Sequence, residues 1–181
     1  MIRWDVVTMS LISIVQRRLA PFNQVKYAKR LGVNIGKNCL IISTPNYGSE
    51  PWLITIGDHV ELTSNISFIT HDGSTWVFRD KEKYKNVIRY GTIYIGDNSF
   101  VGQGTTFLPG SHVGKGCIIG AGSLVKGKID DNTVYAGVPA HYICTVEEFA
   151  EKCLRETPEY SISEYKKDKK KVVLEMMEKH E

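Results

Sequence analysis

The absences in this 181-residue chain already exclude several kinds of protein. No CxxC pair occurs, nor any other metal-ligand spacing, so the four cysteines read as reduced, structural thiols rather than a disulfide framework or zinc site. No histidine pair is close enough for a three-histidine zinc centre; His59 and His71 are twelve residues apart (71 − 59), and the expectation is no metal. Neither sign of charge dominates. Twenty-three Lys and Arg face twenty Asp and Glu, a formal charge of +3, too mild for a nucleic-acid surface. Long apolar runs are missing as well. The stretch Val6–Val15 is interrupted by Thr8, Ser10 and Ser13 and is shorter than the roughly 20 residues a membrane span needs. No signal peptide is evident, so the expectation is a cytoplasmic protein with one proper core.

What the chain does have is a period of six. From Ile95 it reads IGDNSF, VGQGTT, FLPGSH, VGKGCI, IGAGSL and VKGKID. The first place is always bulky and apolar: Ile95, Val101, Phe107, Val113, Ile119, Val125. The fourth is Asn98, Gly104, Gly110, Gly116, Gly122 and Lys128, mostly residues that accept positive φ and so mark a corner. The fifth is small, apart from Ile129. Earlier blocks again offer an apolar first place: IGKNCL (35–40), IGDHVE (56–61), LTSNIS (62–67) and FITHDG (68–73), with register lost across Ser43–Pro51. Cys39 and Cys117 fall at the inward fifth place, while Cys144 and Cys153 lie beyond the repeat. Strand and corner alternating, with one aliphatic residue inward per side, describe a prism wound from one chain. Such short periods mark a parallel β-helix.

The period fails once at length. Residues 72–91 match no block, carry Arg79, Lys81, Lys83, Lys85 and Arg89, and include Trp76, Phe78, Tyr84 and Tyr90. Immediately before them His71 takes a fourth, corner place, and Asp72 puts a charge where other blocks put a small or apolar residue. A lapse of the rule inside a regular scaffold points to function. His59 occupies the same corner place with no loop after it.

The repeat, together with IGAGSLV (119–125) and DNTVYAGVPA (131–140), resembles the hexapeptide-repeat acyltransferase family over about residues 32–143. That resemblance implies a mainly β fold, a left-handed parallel β-helix of three hexads per coil. It implies acetyl-CoA as co-substrate, and a homotrimer holding the coenzyme between subunits. His71 would be the general base, since imidazole is mostly neutral at pH 7 and can take a proton. Thr70-His71-Asp72-Gly73 is similar to the form found in acetyltransferases of polysaccharide assembly, so the acceptor would be a saccharide hydroxyl or amine. Asp72 is the candidate carboxylate to orient the base. Gln103, Ala121 and Lys126 fall where the family contacts the coenzyme. His141 stands where the family often has Arg or Lys on its phosphates, a departure, because neutral imidazole is a poorer phosphate partner. Trp76 and Tyr84 are candidates for stacking on the acceptor sugar. Serine, antibiotic or nucleotide-sugar acceptors and a non-catalytic β-helix scaffold are the alternatives.

The flanks read as helical. Residues 1–31 form an N-terminal cap: a stripe of Trp4, Val7, Leu11, Ile14, Val15 and Leu19 ending at Pro21, then Gln24–Leu31 before Gly32. Membrane contact through Trp4, Arg17 and Arg18 is the less favoured reading. After the β-helix of 32–143, residues 144–181 form a helical extension. Thr145 with Glu148 opens a helix over Val146–Arg155, and Ser161 with Glu164 opens a second running to about Lys179.

Overall fold

An apolar residue that recurs every six positions is buried each time only if the chain turns between recurrences. The computed structural model, which describes residues 23–178, turns in this way. Short strands stack into sheets of five, six and three strands, parallel except where the six-stranded sheet ends. Like places stand above one another. Ile35, Ile56, Ile95, Val113 and Ile129 form a column on the five-stranded face. Ile41, Leu62, Val101 and Ile119 do so on the six-stranded face. Phe68, Phe107 and Val125 form the third column. Phe68 lies between two rings, Tyr47 at 5.6 Å and Phe107 at 5.2 Å, both nearly parallel to it. All these residues are buried, each worth about 1.5–3 kcal/mol relative to exposure if aliphatic or Phe.

The corners follow the fourth-place rule. Asn38, His59, Asn65 and Asn98 have φ of 54–59°, and Gly104, Gly110, Gly116 and Gly122 have φ of 63–84°. The small fifth places also have a polar task. The Thr105 hydroxyl donates to Gly102 O at 2.7 Å, Ser123 to Gly120 O at 2.6 Å and Ser99 to Gly114 O at 3.2 Å. At these corners a buried hydroxyl satisfies a carbonyl that the turn would otherwise strand.

Two sequence expectations need correction. In VKGKID the left-handed residue is Gly127 (φ 75°), not Lys128, and Ile129 pairs with Val113 as a first-place residue. Val113 to Ile129 spans 16 residues (129 − 113), where Ile95 to Val113 spans 18 (113 − 95). The coil is two residues short at that corner, so Ile129 opens a new block rather than breaking the fifth-place rule. His71 is the second correction. It is not among the left-handed residues but in extended pairing with Tyr90, because the chain leaves the coil there instead of turning.

Other elements flank the repeat. A helix over Gln24–Leu31 starts at Asn23, whose Oδ1 accepts from Lys26 N at 2.8 Å, stops at Gly32 (φ 101°), and buries Tyr27 and Ala28. The expected helix over residues 1–20, with Trp4, Arg17 and Arg18, lies outside the described residues. At the other end Thr133–Ala136 and His141–Thr145 pair antiparallel and terminate the six-stranded sheet. The chain divides into two compact units after Val146. A helix covers Val146–Glu156. Beyond it, the single helix expected from Ser161 is two, Ile162–Lys167 and Lys169–Glu178. The Asp168 carboxylate accepts from Lys171 N at 3.0 Å and so caps a new helix instead of continuing the old one. Among the described residues no helix is long and apolar enough to cross a membrane.

Candidate active site

The repeat is interrupted twice, and both interruptions leave the same corner, between the three-stranded and five-stranded faces. The first follows Tyr47. Gly48 turns with φ 65°, where an added Cβ would meet Phe68 O at 3.0 Å. The chain then bows outward through Glu50 into a short 3-10 turn, Pro51–Leu53, before re-entering at Ile54–Ile56. The second follows Phe68, one coil on, and leaves at Thr70-His71. Stacking of the coils therefore brings Glu50 to His71, although 21 residues separate them.

Glu50 Oε2 accepts from the Thr70 hydroxyl at 2.7 Å and lies 2.8 Å from His71 Nδ1. Burial pushes the Glu50 carboxyl up. The hydrogen bonds of Thr70 and His71, with the His71 charge, outweigh it and hold the group below the usual carboxylate range. An ionised carboxylate can only accept, so in a neutral ring Nδ1 is the nitrogen that donates and Nε2, on the far side of the ring, holds the lone pair. Thr70 is 1% exposed, while the His71 side chain is 43% exposed and that of Glu50 14%. One ring nitrogen is thus anchored on a largely buried carboxylate, in a side chain that is itself partly exposed. This is the arrangement of an oriented base.

Asp72, the carboxylate expected at this position, is engaged elsewhere. It accepts from Ser74 N at 3.0 Å, capping the 3-10 turn Gly73–Phe78, and from Arg89 Nη1 at 3.1 Å. The Ser74 hydrogen bonds, with the Arg89 charge, hold its carboxyl below the ordinary range. Adjacent residues in extended chain point to opposite sides, so Asp72 cannot share the His71 side. Glu50 was missed because it lies in a loop that breaks the period. The signal available was that both breaks fall at equivalent corners.

The long loop is closed at its neck by two backbone bonds, Asp72 N to Arg89 O and Gly91 N to Thr70 O, each 2.9 Å. Within it Trp76 is 78% exposed. Tyr84 is not similarly presented: it packs edge-on against Phe78 at 5.7 Å, with Lys83 over its ring. Of the two aromatic residues singled out in sequence, Trp76 has the open ring.

The four expected coenzyme residues separate onto two edges of the prism. Gln103 and Ala121 occupy the corner between the six-stranded and three-stranded faces on successive coils, joined by Gly122 N donating to Gln103 O at 2.7 Å. His141 begins the closing strand opposite Ala136, at the same edge, with Nδ1 3.4 Å from Pro139 O. A Cβ on Gly102 would strike Ala121 N, so this edge is kept narrow by bare backbone. Lys126 sits instead on the His71 edge, two coils further along, beside Gly127. A separate groove of about 490 Å³ runs along the third corner, past Asn38, His59 and Asn98. None of these candidates lines it. Among the described residues no three His, Cys, Asp or Glu assemble as a metal group.

Comparison with known proteins agrees with the repeat. Residues 92–127 match the bacterial transferase hexapeptide (six repeats) model. Protein CapG of Staphylococcus aureus is 37% identical over 128 residues, covering 70% of this chain and 73% of CapG. A galactoside O-acetyltransferase of Lactococcus lactis is 30% identical over 141 residues, 66% of each chain. The crystal structure of a maltose O-acetyltransferase from Clostridium difficile 630 superposes with a TM-score of 0.56 at 21% identity, over 75% of this chain and 84% of that one. The shared architecture implies the left-handed sense of coiling. Matching CapG across most of its length and the hexapeptide model across its central coils, the chain belongs to the hexapeptide-repeat acyltransferase family.

Proposed function

We propose that this protein transfers an acetyl group from acetyl-CoA directly to a hydroxyl of a saccharide, with His71 as general base. The observation that supports the reading is the Glu50–His71 pair, in which a carboxylate holds Nδ1 of a partly exposed imidazole at the root of the loop. Nε2 takes the acceptor proton as the hydroxyl oxygen attacks the thioester carbonyl. Collapse of the tetrahedral intermediate expels the CoA thiolate, which recovers that proton from the imidazolium. The products are an O-acetyl sugar and free CoA, with no enzyme-bound acyl group. Glu50 stabilises the transient imidazolium and holds the ring in place. The saccharide class is supported by the names of the relatives, which include a galactoside O-acetyltransferase.

Gln103, Ala121 and His141 would follow the coenzyme along one edge, with Lys126 as a cation on the other. Because those edges are separated by a whole face, a groove using both is completed by a second copy. We infer a trimer in which the His71 loop of one protomer meets the Gln103 edge of the next. In this reading the helix Gln24–Leu31 caps one end of the β-helix. The test is steady-state thiol release from acetyl-CoA with a panel of sugars. His71→Gln should lower turnover on the order of 10²–10⁴ fold while leaving assembly and CoA binding intact; undiminished turnover refutes the role.

A further inference from the structure

The two backbone bonds at the neck of the loop have a further consequence for the residue opposite His71. In an antiparallel pair, bonds from i+1 to j−1 and from j+1 to i−1 define a non-hydrogen-bonded pair between i and j. Such pairs have the closer Cα separation, about 4.5 Å, and their side chains share one face of the ribbon. Asp72 N to Arg89 O and Gly91 N to Thr70 O are those bonds for His71 and Tyr90. The ring geometry agrees: the centroids are 6.0 Å apart, with planes inclined by 65°. Asp72 and Arg89 lie on the opposite face and bond to each other at 3.1 Å. Tyr90 is nevertheless 57% exposed. It is a large ring set by backbone pairing against the proposed base, with its other surfaces open to solvent.

We propose that Tyr90 is the platform that positions the acceptor sugar over His71, an inference that rests on the acetyl-transfer reading above. A pyranose presents a face of C–H groups, which packs on an aromatic face. A sugar seated on Tyr90 has its ring hydroxyls beside the imidazole, and the register of the neck decides which of them reaches Nε2. Trp76, higher in the loop, has no such fixed relation to His71, and Tyr84 is occupied by Phe78.

The experiment is steady-state kinetics of the full chain with methyl glycosides as the acceptor panel. Tyr90→Ala and Tyr90→Leu should each raise the acceptor KM about tenfold, the size of one good aromatic contact. The KM for acetyl-CoA should stay within about twofold, and Tyr90→Phe should behave as wild type. Tyr90→Leu keeps apolar bulk without a ring, so it decides the matter if Tyr90→Ala fails to fold. Active variants with an unchanged acceptor KM overturn the platform while leaving the acetyl-transfer reading standing. So does a parallel rise in both KM values, the mark of a general loss of structure. A wild-type chain that acetylates no glycoside overturns both readings together.

Discussion

Between Ile95 and Ile129 the chain obeys its rule almost without exception, whereas between Tyr47 and Gly91 it breaks the rule twice at one corner. In the regular coils every first place is buried, every corner is Asn or Gly, and the inward hydroxyls are consumed by corner carbonyls. The hydroxyls that point inward there are already engaged by the backbone. At the interrupted corner the balance is reversed: a carboxylate, a hydroxyl and an imidazole meet, and a loop of exposed aromatics stands over them. The two regions share the same sheets, so the regular one fixes the irregular one. Glu50 meets His71 because the coils beneath them are in register at Ile56 and Ile95. A solenoid can thus build a site from residues distant in sequence by interrupting the same corner on successive coils.

That contrast can be broken from either side. The largest effect on stability should come from the regular region. Phe107→Ala removes a fully buried ring stacked on Phe68 and should cost about 3–5 kcal/mol. Thermal unfolding should show it as a fall of roughly 10 °C. Trp76→Ala in the loop should leave the midpoint within about 2 °C, and a comparable fall there would mean that the loop belongs to the core. Next in size, Glu50→Gln should lower turnover roughly 10–10³ fold with the fold intact. Added to His71→Gln, it should change turnover by less than about threefold, because the two act as one unit. Full additivity would separate Glu50 from the base.

The repeat made the regular region legible, and the reason is physical. One place in six must be apolar, one must tolerate left-handed backbone, and one must be small. These are constraints on single residues, visible in a single sequence. The exceptions were legible only in part. The departure at His71 stood out because a charge followed it and the period stopped. Its partner Glu50 did not, since a carboxylate in a loop carries no periodic mark and its role depends on which corner the loop leaves. Ile129 was misplaced for a similar reason: a coil shortened by two residues shifts the frame, and only pairing with Val113 reveals it. Tyr90 was visible as one of four loop aromatics, yet what singles it out is the pattern of two backbone bonds. Asp168 lies within the single helix expected from Ser161, although aspartate is also a strong helix starter.

Two smaller effects sharpen the picture of the corner. The Glu50 carboxyl lies below its ordinary value of 4.5 in the folded chain, so in the unfolded chain it binds a proton more readily. Its contribution is therefore complete above about pH 4.5 and is lost as the pH falls through the lower folded value. The gap in melting temperature between wild type and Glu50→Gln should be open at pH 7 and narrow below pH 4.5. A gap that goes on widening as the pH falls below 4.5 would reverse the assignment of the charged partner.

The weakest perturbation should be at Arg89. Its pair with Asp72 is geometrically sound at 3.1 Å, but the Arg89 side chain is 70% exposed, and solvent and salt screen such pairs. Arg89→Ala removes the guanidinium and its alkyl stem but neither neck bond, since those are made by backbone groups. The midpoint should therefore move by no more than about 2 °C, and turnover should stay within about threefold of wild type if the backbone alone presents His71. Proline at the same position tests the opposite case. It leaves the Arg89 carbonyl able to accept from Asp72 N but restricts the backbone at the neck. If Arg89→Ala were as damaging as Arg89→Pro, the loop would be held by its charges rather than by its ribbon, and the fixed relation of Tyr90 to His71 would lose its physical basis.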